Sequence, residues 1–335
     1  MERAAQESRA RSVVPAPRSH GTVSPVRPHA AAVVGSDEEL LAAALPFLEA
    51  GLAAGDLTVL ACPPEAAALI RSGLGARAGA VEDHPRIALL DTRAPDALTV
   101  TRRLLDRARS SSSGWARVVG QVQFGSRPCD WREGERYEAA ANILLADQPL
   151  AALCLYDTRV LPPEVVDNAA ATHPEVVVGG RRQPSPGFGD PAEFLRLLPV
   201  PREPFEDGAP VLAVADAVSL ADLRHRLGAA LAAHVPDRDL ADDLHLAVSE
   251  VAANAFRHGR PPVSARLWVG TGHLVCEIGD HGSGYTDPVA GFQPAHGPDL
   301  ARGGMGLWLA RKLFDHVDLM AGNGGLTVRL STRVG

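Results

Sequence analysis

Lysine is almost missing from this 335-residue chain: of its 33 basic residues only Lys312 is a lysine, and the rest are arginine. No GxxxxGK[ST] loop can therefore exist, which excludes P-loop nucleotide binding. Schiff-base chemistry could use Lys312 alone. Aromatic residues make up only 4% of the sequence, so any core must lean on Leu, Val and Ala. The four cysteines, Cys62, Cys129, Cys154 and Cys276, show no CxxC spacing, which argues against a zinc ribbon or a disulfide framework. Three of them lie in or beside apolar runs, where a buried, reduced thiol is the expected state, and that fits a cytoplasmic protein. No run approaches the 18 apolar residues of a membrane span, and the N-terminus has arginines but no apolar segment of a secretory signal. A net charge of −7 argues against a nucleic-acid binder, which normally carries a basic face.

What is present suffices for two globular domains. Hydrophobic residues are 46% and charged residues 22% of the chain, an ordinary balance for packed cores. Residues 1–28, with five arginines and four prolines and no apolar period, read as a disordered tail. From His29 onward, continuous apolar strands alternate with helices, which predicts a parallel sheet covered on both faces. Ser36 caps a helix with an acidic first turn; strands are expected at Asp56–Cys62, Arg86–Asp91, Trp115–Phe124 and Leu150–Tyr156, with helices between them. A stretch rich in Gly, Pro and Arg from Gly179 to Pro191, then a second proline-rich run ending at Pro210, predicts a domain from 29 to 195 and a linker over 196–210. Residues 211–335 read differently. Ser219 caps a helix, a longer one runs from about Asp237 to Phe256, two strands alternate on either side of Gly270-Thr271-Gly272, and Asn323-Gly324 signals a closing hairpin. Helices on one face of a mostly antiparallel sheet make an α+β sandwich.

Three motifs in this second domain matter jointly. In SEVAANAFRHG, Glu250, Asn254 and His258 follow one another at spacing four and form a polar stripe beside a buried helix face. Asp280-His281-Gly282-Ser283-Gly284 leaves an alternating strand; its carboxylate could accept from an exocyclic amine, and its glycines admit close approach of a ligand. Arg302-Gly303-Gly304-Met305-Gly306 opens a helix, where free N–H groups suit phosphate oxygens and Arg302 adds a permanent charge. Each motif alone has an ordinary reading, as a solvated helix face, an Asp/Gly turn or a flexible loop.

Their order within about 60 residues resembles the N, G1 and G2 boxes of the GHKL superfamily. AVSEVAANAFRHG, EIGDHGSGY, RGGMGLWLARKLFD and LTVRL are most similar to its anti-sigma-factor serine kinase branch, over residues 211–332. The resemblance implies a Bergerat-type ATP-binding fold with ATP and Mg²⁺ as cofactors. Asn254 would hold Mg²⁺, Asp280 would contact the adenine amine, and Thr327 would lie behind the same ring. Gly282 and Gly284 would line the purine slot, with His258 continuing the binding stripe. Gly304, Met305, Gly306 and Leu307 would hold phosphates through their backbone. Glu250 would be the general base and Arg302 would steady the γ-phosphate. It further implies a small anti-anti-sigma partner of the STAS type as phosphoryl acceptor, a sigma factor as a further partner, and homodimerisation. An ATP-gated binding module without transfer remains an alternative. A sensor histidine kinase is the second, but no helical hairpin fits before residue 211, and His225 lacks a phospho-acceptor context.

Residues from about 28 to 195 resemble the MEDS sensory domain, a RecA- or KaiC-like α/β module. The resemblance rests on HAAAVVGSDEELLAAALPFLEAGLAAGD, the YEAAAN at Tyr137–Asn142 and CLYDTRVLPPEVV. It implies signal input without ATP binding. In a parallel sheet, ligands favour the carboxyl ends of the strands, an edge expected to collect Cys62, Asp91, Gln121–Phe124 and Tyr156-Asp157. His29, Trp131, Tyr137 and Glu138 could join it, although packing is the plainer expectation for each.

Overall fold

The Ser36 cap and acidic first turn open the first helix as the sequence predicts, and a glycine closes it. In the computed structural model, which describes residues 29–283, 287–294, 305–322 and 324–335, helix α1 runs Asp37–Ala54. Ser36 Oγ accepts the Glu39 N–H, and Gly55 closes the helix at φ 80°, the left-handed geometry that costs glycine least. The expected tail at 1–28 lies outside the described residues.

The first sheet has seven strands: β1 (His29–Val34), β2 (Leu57–Ala61), β3 (Glu82–Asp83), β4 (Ala116–Gly120), β5 (Leu150–Asp157), β6 (Glu175–Val178) and β7 (Arg181–Pro184), in the order β3-β2-β4-β5-β1-β6-β7. All neighbours are parallel except β6 and β7. Leu40, Leu48 and Ile70, from α1 and α2 (Pro64–Leu74), bury one face. The other is buried by α3 (Ala94–Ala108), α4 (Pro128–Leu144) and α5 (Pro163–Thr172), through Leu98, Leu105, Tyr137 and Val165.

One expectation fails here. RIALLD at 86–91 is not a strand: Pro85–Ala88 form a 3-10 turn, and Leu89 and Asp91 have φ of 62° and 48°. Proline has no donor for a ladder, so the edge strand falls back to the two residues of β3. The Gly179–Pro191 stretch adds the other edge strand of the sheet. Gly179 and Gly180, both at positive φ, form the two-residue turn that joins β6 to β7, and α6 (Pro191–Leu197) follows. Sequence reading missed β1 as well, yet it lies between β5 and β6 near the middle of the sheet.

The second sheet is wholly antiparallel, with β8 (Leu212–Val214), β9 (Ser264–Gly270), β10 (His273–Asp280), β11 (His316–Gly322) and β12 (Gly325–Arg333) in the order β11-β12-β10-β9-β8. Asn323 of the closing hairpin lies outside the described residues. Leu274, Cys276 and Ile278 of β10 and Leu326, Val328 and Leu330 of β12 face the helices. There they meet Leu223, Leu227 and Leu231 of α7 (Leu220–His234) and Leu244, Val248 and Val251 of α8 (Arg238–His258). The short α9 (Met305–Leu313) completes this layer. Ser219 Oγ accepts the Asp222 N–H at 3.1 Å and caps α7. Ser219→Ala should lower unfolding free energy by about 1 kcal/mol, read from the midpoint of urea unfolding.

A two-layer sandwich describes this half incompletely, because its outer sheet face is also covered. Asp318 on β11 and Arg329 on β12 point away from α8. Arg132 and Arg136, on α4 of the first half, donate to Asp318 at 2.9 and 2.6 Å, and Arg329 donates to Glu206 at 2.5 Å. Among the described residues no helix is long and apolar enough to cross a membrane.

Candidate nucleotide site

Helix α8 carries the polar stripe because its opposite side is spent on the core. Asp237 caps it, accepting from the Asp239 and Leu240 N–H groups, and Leu244, Ala247, Val248 and Val251 lie buried against the sheet. Asn254 is 8% exposed; among the described residues its amide makes no hydrogen bond, although buried amides nearly always find a partner. One turn earlier, Glu250 Oε1 stands 3.6 Å from Arg224 Nη2 on α7, and its side chain is 41% exposed. His258, in the last turn, is exposed.

Asp280 ends β10 beside the C-terminus of α8. Its Oδ1 accepts the Gly282 N–H at 2.6 Å and the Arg260 N–H at 3.4 Å, which fixes the carboxylate. Among the described residues its second oxygen makes no hydrogen bond, leaving it able to accept from a ligand. The surroundings admit no side chains. A Cβ on Gly259 would stand 2.3 Å from Asp280 Cγ, and one on Gly282 would stand 2.7 Å from Asp280 Oδ1. Gly325, at φ 126°, brings the last hairpin onto the Asp280 carbonyl.

Gly306, in the first turn of α9, closes the third side. A Cβ there would meet Asn254 Nδ2 at 3.0 Å and Glu250 Cβ at 3.1 Å, so a side chain would crowd the stripe over which α9 begins. Leu307 is buried in the core and Met305 exposed. Gly306 thus stands against Glu250 and Asn254, and Asp280 and Gly282 stand beside the C-terminal end of the same helix. Gly284, Arg302 and Gly304 lie outside the described residues.

Thr327 needs correction. It pairs with Gly279, out of phase with Asp280. Strand alternation therefore sends its side chain to the face away from α8, near Ser264 and Gly279. Leu326 holds the inner position opposite Asp280. The motif LTVRL carries its hydroxyl one residue too late to stand behind a purine.

Sequence reading also missed the segment between β10 and α9. Phe292 there is 1% exposed and packs into the core of the first half, with Arg311 of α9 4.4 Å above its ring. Arg311 donates to the carbonyls of Ala290 at 2.9 Å and Val317 at 3.1 Å, and burial lowers its guanidinium to about 10. Gly291, at φ 80°, brings this segment against Leu307, where a Cβ would stand 2.7 Å from the carbonyl carbon. Phe292 therefore seats the stretch 287–294 in the first sheet's core. A lone phenylalanine in GFQPAHG carries no periodic signal that could have revealed this.

Residues 213–332 match the family of histidine kinase-like ATPase domains, and residues 28–174 match MEDS, the methanogen/methylotroph DcmR sensory domain. The chain joins a MEDS domain to a histidine kinase-like ATPase domain. Serine-protein kinase RsbW of Bacillus velezensis is 32% identical over 101 residues, covering 27% of this chain and 62% of that protein. The same kinase of Bacillus pumilus is 32% identical over 103 residues, covering 27% and 63%. The chain spans about three-fifths of the length of these relatives. A crystal structure of the RsbU and RsbW domains of a Mycobacterium tuberculosis protein matches at 21% identity and a TM-score of 0.28, covering 37% of this chain and 32% of that one.

Proposed function

We propose that this protein transfers the γ-phosphate of ATP to a Ser or Thr of a small anti-anti-sigma partner, and that its MEDS domain tunes the transfer. The observation that carries the reading is Gly306 standing against Glu250 and Asn254 on α8, with Asp280 beside the C-terminal end of the same helix. The second carboxylate oxygen of Asp280 would receive the adenine amine. Gly306, with Gly304 before it, would offer backbone N–H groups to the phosphates. Asn254 fits Mg²⁺ through its side-chain carbonyl, because a hard cation takes oxygen ligands and few of them from protein. That ion would supply charge neutralisation on the β- and γ-oxygens. Glu250 would take the proton of the attacking hydroxyl as its oxygen bonds to phosphorus and the bond to ADP breaks, with Arg302 adding charge.

Regulation would run through Phe292. Its segment joins the Asp280 turn to α9, so a shift in the MEDS core around Phe292 would be felt at Leu307 and Gly306.

The test is incubation of the full chain with labelled ATP, Mg²⁺ and a candidate STAS-type partner. Acid-stable label on the partner is expected. Acid-labile label on the protein itself would favour a histidine kinase, and tight Mg·ATP binding without transfer would favour a nucleotide-gated binding module. Asn254→Ala should weaken Mg·ATP binding about tenfold or more, near 1.4 kcal/mol, in a calorimetric titration. The affinity for ATP without magnesium should change less.

A further inference from the structure

The MEDS half contains a polar cluster that the nucleotide site does not use. His29 opens β1, Glu138 lies on α4, Cys154 on β5, and His173 directly follows α5. Their ligand atoms all lie within 4.8 Å of one another. His29 Nε2 is 3.3 Å from Glu138 Oε2 and 3.6 Å from Cys154 Sγ. Glu138 Oε2 is 3.7 Å from Cys154 Sγ and 3.6 Å from His173 Nε2. A tetrahedral ion with bonds of about 2.0–2.3 Å places its ligand atoms roughly 3.3–3.8 Å apart, which is the spacing of these four pairs.

The hydrogen bonds behind the cluster orient it further. Asn142 Nδ2 donates to the carbonyls of Glu138 at 3.1 Å and Thr172 at 2.7 Å, which turns its Oδ1 toward His29 Nδ1 at 2.8 Å. His29 then carries a proton on Nδ1, and its Nε2 is the nitrogen that faces the cluster. His173 Nδ1 likewise lies 3.0 Å from the Ala169 carbonyl, leaving Nε2 with its lone pair. Metal-bound histidines are held in this manner, with the outer nitrogen donating to a carbonyl. Among the described residues, two buried atoms of the cluster, His173 Nε2 and Glu138 Oε1, have no hydrogen-bond partner, and their residues are 0% and 2% exposed. Buried atoms left unpaired are costly, and a cation at the centre would satisfy the imidazole.

We propose that His29, Glu138, Cys154 and His173 bind one divalent transition-metal ion of the zinc class. Two imidazoles, one carboxylate and one thiolate form a borderline-soft set that favours such an ion over Mg²⁺ or Ca²⁺. Binding replaces the Cys154 S–H bond by a sulfur–metal bond and releases one proton to solvent. His29, Glu138 and Cys154 also line a cavity of about 1070 Å³, which provides the path of entry. The ion would tie β1, β5, α4 and the end of α5 together.

Cobalt reports on such a site. The full, untagged chain, stripped with chelator and kept free of nucleotide, should bind one equivalent of Co²⁺ with a thiolate-to-metal charge-transfer band, and Zn²⁺ should bleach it. Cys154→Ser should lose the band. Cys129→Ser, altering the thiol beside Asp130 and His316, should keep it. X-ray absorption of the zinc form reads the ligands with no substitution, and one sulfur near 2.3 Å with nitrogens near 2.0 Å is expected. The proposal is overturned if no band forms at excess cobalt, if the band survives Cys154→Ser, or if the zinc shell contains no sulfur. A hydrogen-bonded core network that binds no metal would give the first of these results.

Discussion

Glu250→Ala is expected to slow phosphoryl transfer to the partner by roughly 10²–10⁴-fold, the range for losing a positioned general base, while nucleotide affinity stays essentially unchanged. The separation follows from position. Glu250 precedes Asn254 by one helical turn, and its Cβ borders Gly306, so it stands beside the region assigned to the phosphates. It caps no helix and fills no core position, and among the described residues its only ion pair is the solvent-accessible one with Arg224 at 3.6 Å, a contact of small energetic weight. Removing the side chain should therefore leave the fold intact. Single-turnover transfer, with Mg·ATP affinity measured alongside, makes the check. Transfer by Glu250→Ala at the parent rate would show that another group accepts the proton, and parallel loss of binding would show that Glu250 holds nucleotide instead.

The largest stability effect should come from Asp318→Ala. This carboxylate is 1% exposed and is shared by Arg132 and Arg136 of the MEDS half and Arg329 of its own sheet. Truncation leaves buried guanidinium groups without their anion, a change that costs about 3–5 kcal/mol. For a folding unit of 150–250 residues this corresponds to a fall in Tm of roughly 6–20 °C, measurable by calorimetry. A fall of a degree or two would mean that water or Glu206 compensates.

The same group sets an acid limit. Burial by itself would raise the Asp318 carboxyl, but Arg136, Arg132 and Arg329 outweigh it and hold it below the ordinary range. A carboxyl depressed in the folded state contributes stability that is complete above its unfolded value, about pH 4. That contribution is lost as the pH falls through the folded value. Urea unfolding in a pH series should accordingly show a steeper acid loss in the parent than in Asp318→Ala.

Local signals carried much of this outcome. Ser36, Ser219 and Asp237 marked helix starts because a capping oxygen acts within three residues. The alternation in β9 and β10 marked their inner faces, and spacing by four put Glu250, Asn254 and His258 on one stripe. Where a residue's meaning depended on a distant partner, the same reading failed. Thr327 looked suitable by motif, yet pairing with Gly279 turned it outward. RIALLD looked like a strand until Pro85 and two residues at positive φ took it out of the sheet. Glu138 and His29 were noticed as residues near a strand edge, but neither Cys154 nor His173 could be joined to them while 144 positions separate the first ligand from the last.

The sequence by itself determined two sheets of different character, the helix stripe and the glycine steps around Asp280, because backbone periodicity and turn chemistry act over a few residues. Only the tertiary structure decided that Phe292 seats in the MEDS core, that Asp318 gathers arginines from both halves, and that His29, Glu138, Cys154 and His173 face one another. Burial and electrostatic pairing depend on distance through space, which the order of residues along the chain does not fix.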